Sequence, residues 1–124
     1  MVKWVTRLLS SGSKLLVPEI ADYEVRRELE RARMETSLQR LDQLGELLGY
    51  LPISTSAMRK AAEYWARARR RGYPTADDKA IDADVILAAQ AATLDPALGR
   101  PIVATMNVGH LARFVEARRW QEIG

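Results

Sequence analysis

Two carboxylates, Asp82 and Asp84, lie in an otherwise apolar segment, AIDADVILAAQAATL at residues 80–94. Apolar residues recur there at helical spacing and predict a buried helix, with an inward face of Ile81, Val85, Ala88, Ala89 and Ala92. Asp84 is three residues after Ile81 and is expected to point toward that face. A buried carboxylate must be paired, hydrogen-bonded or bound to a metal. The alternative is structural: Asp82 caps the helix and Asp84 complements its dipole.

Two further polar residues follow predicted strands. Glu24 lies in the helix after the apolar run KLLVP at residues 14–18, and Asn107 comes just after PIVAT at 101–105. Ligand sites of open parallel sheets lie beyond the carboxyl ends of the strands. Glu24, Asp84 and Asn107 are therefore predicted to converge at one edge of a sheet.

Short apolar strands alternate with helices along the whole chain. This order favours an α/β fold in which a parallel sheet is covered on both faces. Gly49 is expected to end one helix, and the hydroxyls at 54–56 to cap the next. The predicted strands are 14–18, 50–54 and 101–105; the predicted helices are 2–10, 19–33, 35–48, 56–71, 80–94 and a short one that Asn107 caps.

The composition excludes several kinds of site. A chain of 124 residues with 48% hydrophobic and 28% charged residues fits one soluble domain. With no cysteine and a single histidine, His110, it has no disulfide, thiolate zinc site or multi-histidine metal site. The absence of cysteine fits a cytoplasmic location. No apolar run approaches the roughly 20 residues that cross a bilayer, so no membrane partner is expected.

The net charge of +3 permits a polyanionic partner. Clustered arginines are either solvated helix faces or contacts to the phosphates of a nucleic acid. A surface ion pair with Arg27 or Arg31 is likewise the structural alternative for Glu24. The arginine clusters are Arg26, Arg27, Arg31 and Arg33; Arg67, Arg69, Arg70 and Arg71; and Arg118 and Arg119.

Two segments resemble acidic motifs of the PIN-domain ribonucleases. PEIADYEVRREL at residues 18–29 resembles the family's second acidic segment, in which a strand-ending proline is followed six residues later by glutamate, here Pro18 and Glu24. DADVILAAQA at 82–91 resembles the family's D-x-x-I-A-A-x-A helix, with Asp84 at the acidic position.

A third segment resembles the end of the same family. IVATMNVGHLARF at residues 102–114 is similar to V-x-T-x-N/D-x-x-x-F, with Thr105 and Asn107 as the polar pair. His110 falls near a position where the family often has aspartate. The three motifs occur in the family's order, and the resemblance covers about residues 2–124.

The resemblance implies a three-layer PIN-like fold, with a short parallel sheet flanked by helices. It also implies a nuclease that cleaves RNA with Mg²⁺ or Mn²⁺, which oxygen ligands suit. Glu24 and Asp84 would bind the metal, Asp82 could contribute, Asn107 would contact the ion directly or through water, and Thr105 would orient Asn107. An antitoxin protein is a further implied partner, because part of the family acts in toxin–antitoxin pairs.

The chain departs from the family at its start. The family's opening strand, of the form V-V-D-T-N-V-L, carries a metal-binding aspartate and lies centrally in the sheet, and no such segment occurs here. Each backbone group left without a partner would cost about 1 to 3 kcal/mol. Three outcomes stay open: the flanking strands pair directly, a second copy or partner fills the gap, or Met1 is an internal methionine of an N-terminally incomplete domain.

Two other classes of function compete with the nuclease. Loss of the opening aspartate favours a catalytically inactive PIN-like module for binding or oligomerisation, including a homodimer, since fewer anionic ligands hold Mg²⁺ loosely. A helical interaction domain with a leucine seam is the third class. The runs KLLVP and PIVAT argue against it because they are poor helix formers.

Overall fold

The computed structural model describes residues 7–12, 14–72, 78–99, 101–104 and 114–118. Residues 7–10 are helical. The elements that follow are β1 (Val17–Pro18), α1 (Glu19–Arg31), α2 (Glu35–Leu48), β2 (Tyr50–Leu51), α3 (Thr55–Arg70), α4 (Asp78–Ala92), a 3-10 turn (Pro96–Leu98), β3 (Val103–Ala104) and β4 (Ala117–Arg118).

Local sequence signals place the helix ends well. Gly49 ends α2 with a φ of +83°, a conformation that glycine adopts without strain, and its N–H donates to the carbonyl of Gly45 at 2.8 Å. Ser54 caps α3, where its hydroxyl accepts a hydrogen bond from the N–H of Ala57 at 3.0 Å. Both expectations are confirmed. The strands are shorter than predicted, with two residues each.

All described strands pair in parallel. β1 lies beside β2, with Val17 opposite Tyr50, and β3 lies beside β4, with Val103 opposite Ala117. The chain is therefore a mixed α/β protein, as predicted, and its described strands form two sheets of two strands each. β4 was not predicted, because the pair Ala117–Arg118 has no apolar alternation that would indicate a strand.

The chain divides into two compact units, with the boundary between Leu51 and Pro52. In the first unit, α1 packs on α2 and on β1. Two apolar side chains are exposed there: Val25, which the helical spacing predicts to face inward, by 50%, and Leu47 by 66%. Each lies more than a quarter turn away from the buried stripe of its helix, since 3.6 residues make one turn. Ile20 and Gly45 are the buried residues of α1 and α2.

In the second unit, α3 packs on α4 and forms most of the core. The ring of Tyr64 stacks on that of Phe114, with centroids 4.7 Å apart. Small side chains line the contact of the two helices, which allows their backbones to approach closely. The buried residues of this cluster are Ala57, Ala61, Tyr64, Ala68, Val85, Ala88, Ala89, Ala91 and Val103.

The buried stripe of α3 differs from the predicted one. The helical spacing of the apolar residues predicts an inward face made of Met58, Ala61, Ala62, Trp65 and Ala68. Of these, Met58, Ala62 and Trp65 are exposed. The sequence of α3 carries two overlapping apolar stripes. The stripe with the smaller side chains is the buried one, because its alanines allow α4 to pack closely against α3. In α4, Ala92 is exposed where burial was expected, and Ala91 is buried in its place. None of the described helices is both long and apolar enough to cross a bilayer.

Candidate functional site

Glu24 lies on α1 with 38% of its side chain exposed. Its carboxylate is 3.9 Å from the guanidinium of Arg27, one turn further on. Arg31 pairs instead with Glu28, at 2.9 Å. A surface ion pair with Arg27 or Arg31 was the structural alternative to a metal-binding role for Glu24, and the pair with Arg27 is present. A contact of this length between half-exposed groups is weak.

The two aspartates of α4 differ in exposure. Because α4 begins at Asp78, Asp82 lies in its second turn, and the interpretation of Asp82 as the helix cap is wrong. Asp82 is exposed, whereas Asp84 is half-buried between the buried residues Ala83 and Val85. The more buried acid is thus the one that the apolar spacing placed nearer to the core.

The remaining predicted site residues, Thr105, Asn107 and His110, lie outside the described residues. Glu24 belongs to the first unit and Asp84 to the second. Their convergence with Asn107 therefore stays a prediction. Within the described ranges, no group of three or more acidic or histidine side chains is arranged to hold a metal ion.

A charged cluster in the first unit joins α1 to α2. Arg26 donates to both carboxylate oxygens of Asp22, at 2.9 and 3.2 Å, and contacts Asp42 of α2 at 2.8 Å. The hydrogen bond to Asp22, followed by that to Asp42, raises the pKa of Arg26 above its already high value. The hydroxyl of Tyr50 donates to Asp22 at 3.4 Å. The four-residue spacing of Asp22 and Arg26 was the available sequence signal for this cluster.

The exposed side of α3 forms a basic face. Arg59, Arg67 and Arg70 lie along one side of the helix, and a shallow depression of about 530 Å³ lies against it. Ala62, Glu63, Ala66, Arg67 and Arg70 line this depression, so one carboxylate and two guanidinium groups lie at it. The term basic face means these five residues and Arg59.

The positive charges of α3 outnumber its carboxylates. Lys60 pairs with Glu63 at 3.0 Å, whereas Arg59, Arg67 and Arg70 form no ion pair within the described part of the chain. Residues 55–71 hold six basic side chains and one carboxylate, a local charge of +5 that exceeds the +3 of the entire chain. The positive potential of the protein is therefore concentrated on one helix.

Trp65 is the functional candidate that sequence reasoning missed. Its indole is 41% exposed, and the guanidinium of Arg69 is 5.1 Å from the ring centroid. The helical spacing suggested a core residue. The signal that could have identified it is the interleaving of an aromatic residue with arginines, which is typical of surfaces that bind single-stranded nucleic acids.

Comparison with known proteins gives no match: no protein-family model, curated protein or solved structure matches the chain. Support for a function therefore comes from this chain's own side chains. The relevant ones are the acids of α1 and α4 and the basic face of α3.

Proposed function

We propose that the chain is a three-layer PIN-like domain that cleaves RNA phosphodiester bonds with Mg²⁺ or Mn²⁺. Glu24 and Asp84 would hold the metal, with Asp82 and Asn107 as additional ligands and Thr105 orienting Asn107. The observation that carries the proposal is the packing of α3 on α4. This contact makes the helix with the largest positive charge a direct neighbour of the helix that bears Asp84.

The two helices would perform different parts of the reaction. Cationic side chains of α3 attract and hold the phosphates of an RNA strand, since such contacts dominate nucleic-acid affinity. The half-buried Asp84 offers a carboxylate in a partly dehydrated position, where it binds a hard cation more strongly than an exposed acid does. A bound divalent ion would lower the pKa of a water molecule and offset the phosphate's growing negative charge.

We further propose a cytoplasmic protein of the toxin kind, whose partners are RNA and an antitoxin.

The test is RNA cleavage by the full chain with Mg²⁺ or Mn²⁺ and with EDTA. We expect cleavage that stops in EDTA and falls about 100-fold or more in Asp84→Asn, which corresponds to losing nearly 3 kcal/mol of metal-dependent catalysis. The cleavage rate should also fall in Glu24→Gln. The matched control, Glu30→Gln, removes an exposed carboxylate from the same helix and should keep full activity. Cleavage that survives EDTA or Asp84→Asn would contradict the proposal.

A second candidate is a catalytically inactive PIN-like module that binds a partner or a second copy. Exposed apolar side chains in the first unit favour it, among them Tyr23, Val25, Met34 and Leu47. Such side chains mark an interaction surface where they adjoin one another in one patch. This candidate predicts self-association in size-exclusion chromatography with light scattering, together with no hydrolysis stimulated by metal. A monomer with metal-dependent cleavage would eliminate it.

A further inference from the structure

We propose that the outer edge of β3, the side that faces away from β4, pairs with the same edge of a second copy of this chain. The two copies form an antiparallel ladder through Ile102 and Ala104, with a twofold axis at Val103. The inference goes beyond the proposed function, because it concerns assembly and requires neither RNA nor a metal ion. It also differs from the second candidate, whose apolar side chains lie in the first unit. Three features support it: an unpaired edge, an uncharged sequence and a self-complementary backbone pattern.

β3 is paired along one side. The N–H of Val103 donates to the carbonyl of Glu116 at 3.0 Å, so the backbone groups of this residue point toward β4. Because successive residues of a strand direct their N–H and C=O groups to opposite sides, those of Ile102 and Ala104 point away from β4. Within the described ranges, β3 pairs with β4 alone, and the backbone of Ile102 makes no hydrogen bond. The outer edge therefore offers two donors and two acceptors.

The side chains of this edge are apolar and exposed. Ile102 is 40% exposed and Ala104 is also exposed, whereas Val103, between them, is buried in the core of the second unit. A parallel strand with apolar residues on both faces is typical of the interior of a sheet. β3 therefore has the composition of a strand with a neighbour on each side.

The sequence of this strand lacks the usual protection against pairing. Lysine and proline commonly protect exposed edge strands from the addition of another strand. In the first unit, β1 follows the exposed Lys14, and its Pro18 has no N–H. Residues 101–104 hold no charge, and Pro101 has the parity of the residues that point toward β4. Two copies can therefore approach along the outer edge of β3 without repulsion between like charges.

The backbone pattern of the edge matches itself when two copies lie antiparallel. With Val103 of both copies on the twofold axis, the N–H of Ile102 faces the carbonyl of Ala104 in the other copy, and the N–H of Ala104 faces the carbonyl of Ile102. The symmetry repeats both contacts, so the outward polar groups of both edges are all paired, in four hydrogen bonds. Each Ile102 also lies beside an Ala104, a large side chain beside a small one. An edge that is complementary to itself fits an identical chain.

Sedimentation velocity of the full chain, over about 1 to 500 μM protein, measures this association. We expect a monomer–dimer equilibrium that dilution reverses, because a short ladder and a small apolar contact hold an interface weakly. Ala104→Pro should weaken the dimer at least about 10-fold, since it removes two of the four proposed hydrogen bonds and none of those to β4. The matched variant Ala104→Val keeps the N–H and should dimerise like the parent.

A charge on the edge should also weaken the dimer. Ile102→Lys places an ammonium group beside the second copy and removes an apolar contact, so we expect the association constant to fall about 10-fold or more. Leu98→Lys is the matched control. It adds the same charge at another exposed apolar position of the second unit and should leave the association constant unchanged. Both original side chains are exposed, so both variants should fold, and thermal unfolding checks that they do.

Cross-linking tests the register of the ladder. The chain has no cysteine, so a single introduced cysteine forms a disulfide only with another copy. Position 102 lies opposite position 104 of the second copy, with Cα atoms about 5.5 Å apart, a separation that a disulfide spans. Identical positions lie diagonally, about 7–8 Å apart. A mixture of Ile102→Cys and Ala104→Cys should therefore cross-link under mild oxidation faster than either variant alone.

Three results would overturn the inference. They are a chain that stays monomeric up to about 500 μM, a dimer that Ala104→Pro and Ile102→Lys leave unchanged, or cross-linking that is equally fast in the mixture and in the separate variants. A dimer that both substitutions leave unchanged would place the association at another surface, such as the apolar side chains of the first unit. The presence or absence of RNA cleavage decides the proposed function and has no bearing on this dimer, so the two failures are distinguishable.

Discussion

At the scale of single residues, the contact between Gly45 and Tyr50 shows how one missing side chain positions another. The ring of Tyr50 occupies the space that a Cβ at position 45 would fill. From there its hydroxyl reaches Asp22, which also holds Arg26. A glycine inside a helix usually costs about 1 kcal/mol relative to alanine. Here that cost is offset because the absence of a side chain at position 45 leaves room for the ring of Tyr50.

This contact predicts coupling between the two positions. In a Tyr50→Ala background, Gly45→Ala should stabilise the protein by up to about 1 kcal/mol, because only helix propensity changes. In the parent protein the gain should be smaller or reversed, since Tyr50 must move and its hydrogen bond to Asp22 is lost. Urea unfolding of the four proteins of this cycle gives the coupling energy. A coupling energy of zero would mean that Tyr50 does not rest on Gly45 in solution.

At the scale of elements, α3 combines two roles on opposite sides. Its alanines and Tyr64 pack on α4, while its arginines and Trp65 face solvent. The helix begins at a serine cap, so its register is fixed from the first turn. That register decides which side chains form the basic face, because a rotation of one residue, or 100°, would exchange buried and exposed positions.

Removal of the cap tests this element. Ser54→Ala should lower the free energy of unfolding by about 1 kcal/mol, because the N–H of Ala57 loses its acceptor. Ser54→Asp should retain the parent stability, since aspartate caps equally well and its charge favours the helix start. The measurement is urea unfolding followed by circular dichroism. Equal stability of Ser54→Ala and the parent would show that α3 starts elsewhere.

At the scale of the whole molecule, burial is distributed unequally between the two units. Most buried side chains belong to the second unit, including Gln90, whose polar atoms have partners despite an exposure of 1%. In the described part of the first unit, Leu8 and Ile20 are the buried apolar side chains. Apolar burial is the main source of stability, so the two units should differ in how readily they open.

Amide hydrogen exchange followed by mass spectrometry measures this difference. We expect peptides from α3 and α4 to exchange more slowly than peptides from α1 and α2, because opening the first unit exposes less apolar surface. If self-association covers the apolar side chains of the first unit, its exchange should slow as the protein concentration rises. Uniform protection of all four helices at low concentration would refute the unequal distribution.

Much of the architecture was determined by the sequence itself. The bounds of α2, the glycine at its end, the serine cap of α3 and the parallel α/β pattern all follow from local signals, since backbone capping and hydrophobic period act within a few residues. Spacing also selected Glu24 and Asp84 as candidate ligands, and the sequence shows the clustering of arginines on one helix. Their joint action in one site stays a prediction.

Only the tertiary structure decided which of two overlapping stripes on α3 is buried. Periodicity placed Trp65 in the core, but close packing against the alanines of α4 selects Ala57, Ala61, Tyr64 and Ala68 and leaves the indole in solvent. The pairing of β4 with β3 and the packing of Tyr50 on Gly45 also depend on tertiary contacts. Each depends on contacts between residues far apart in the chain, and such contacts leave no local pattern in the sequence.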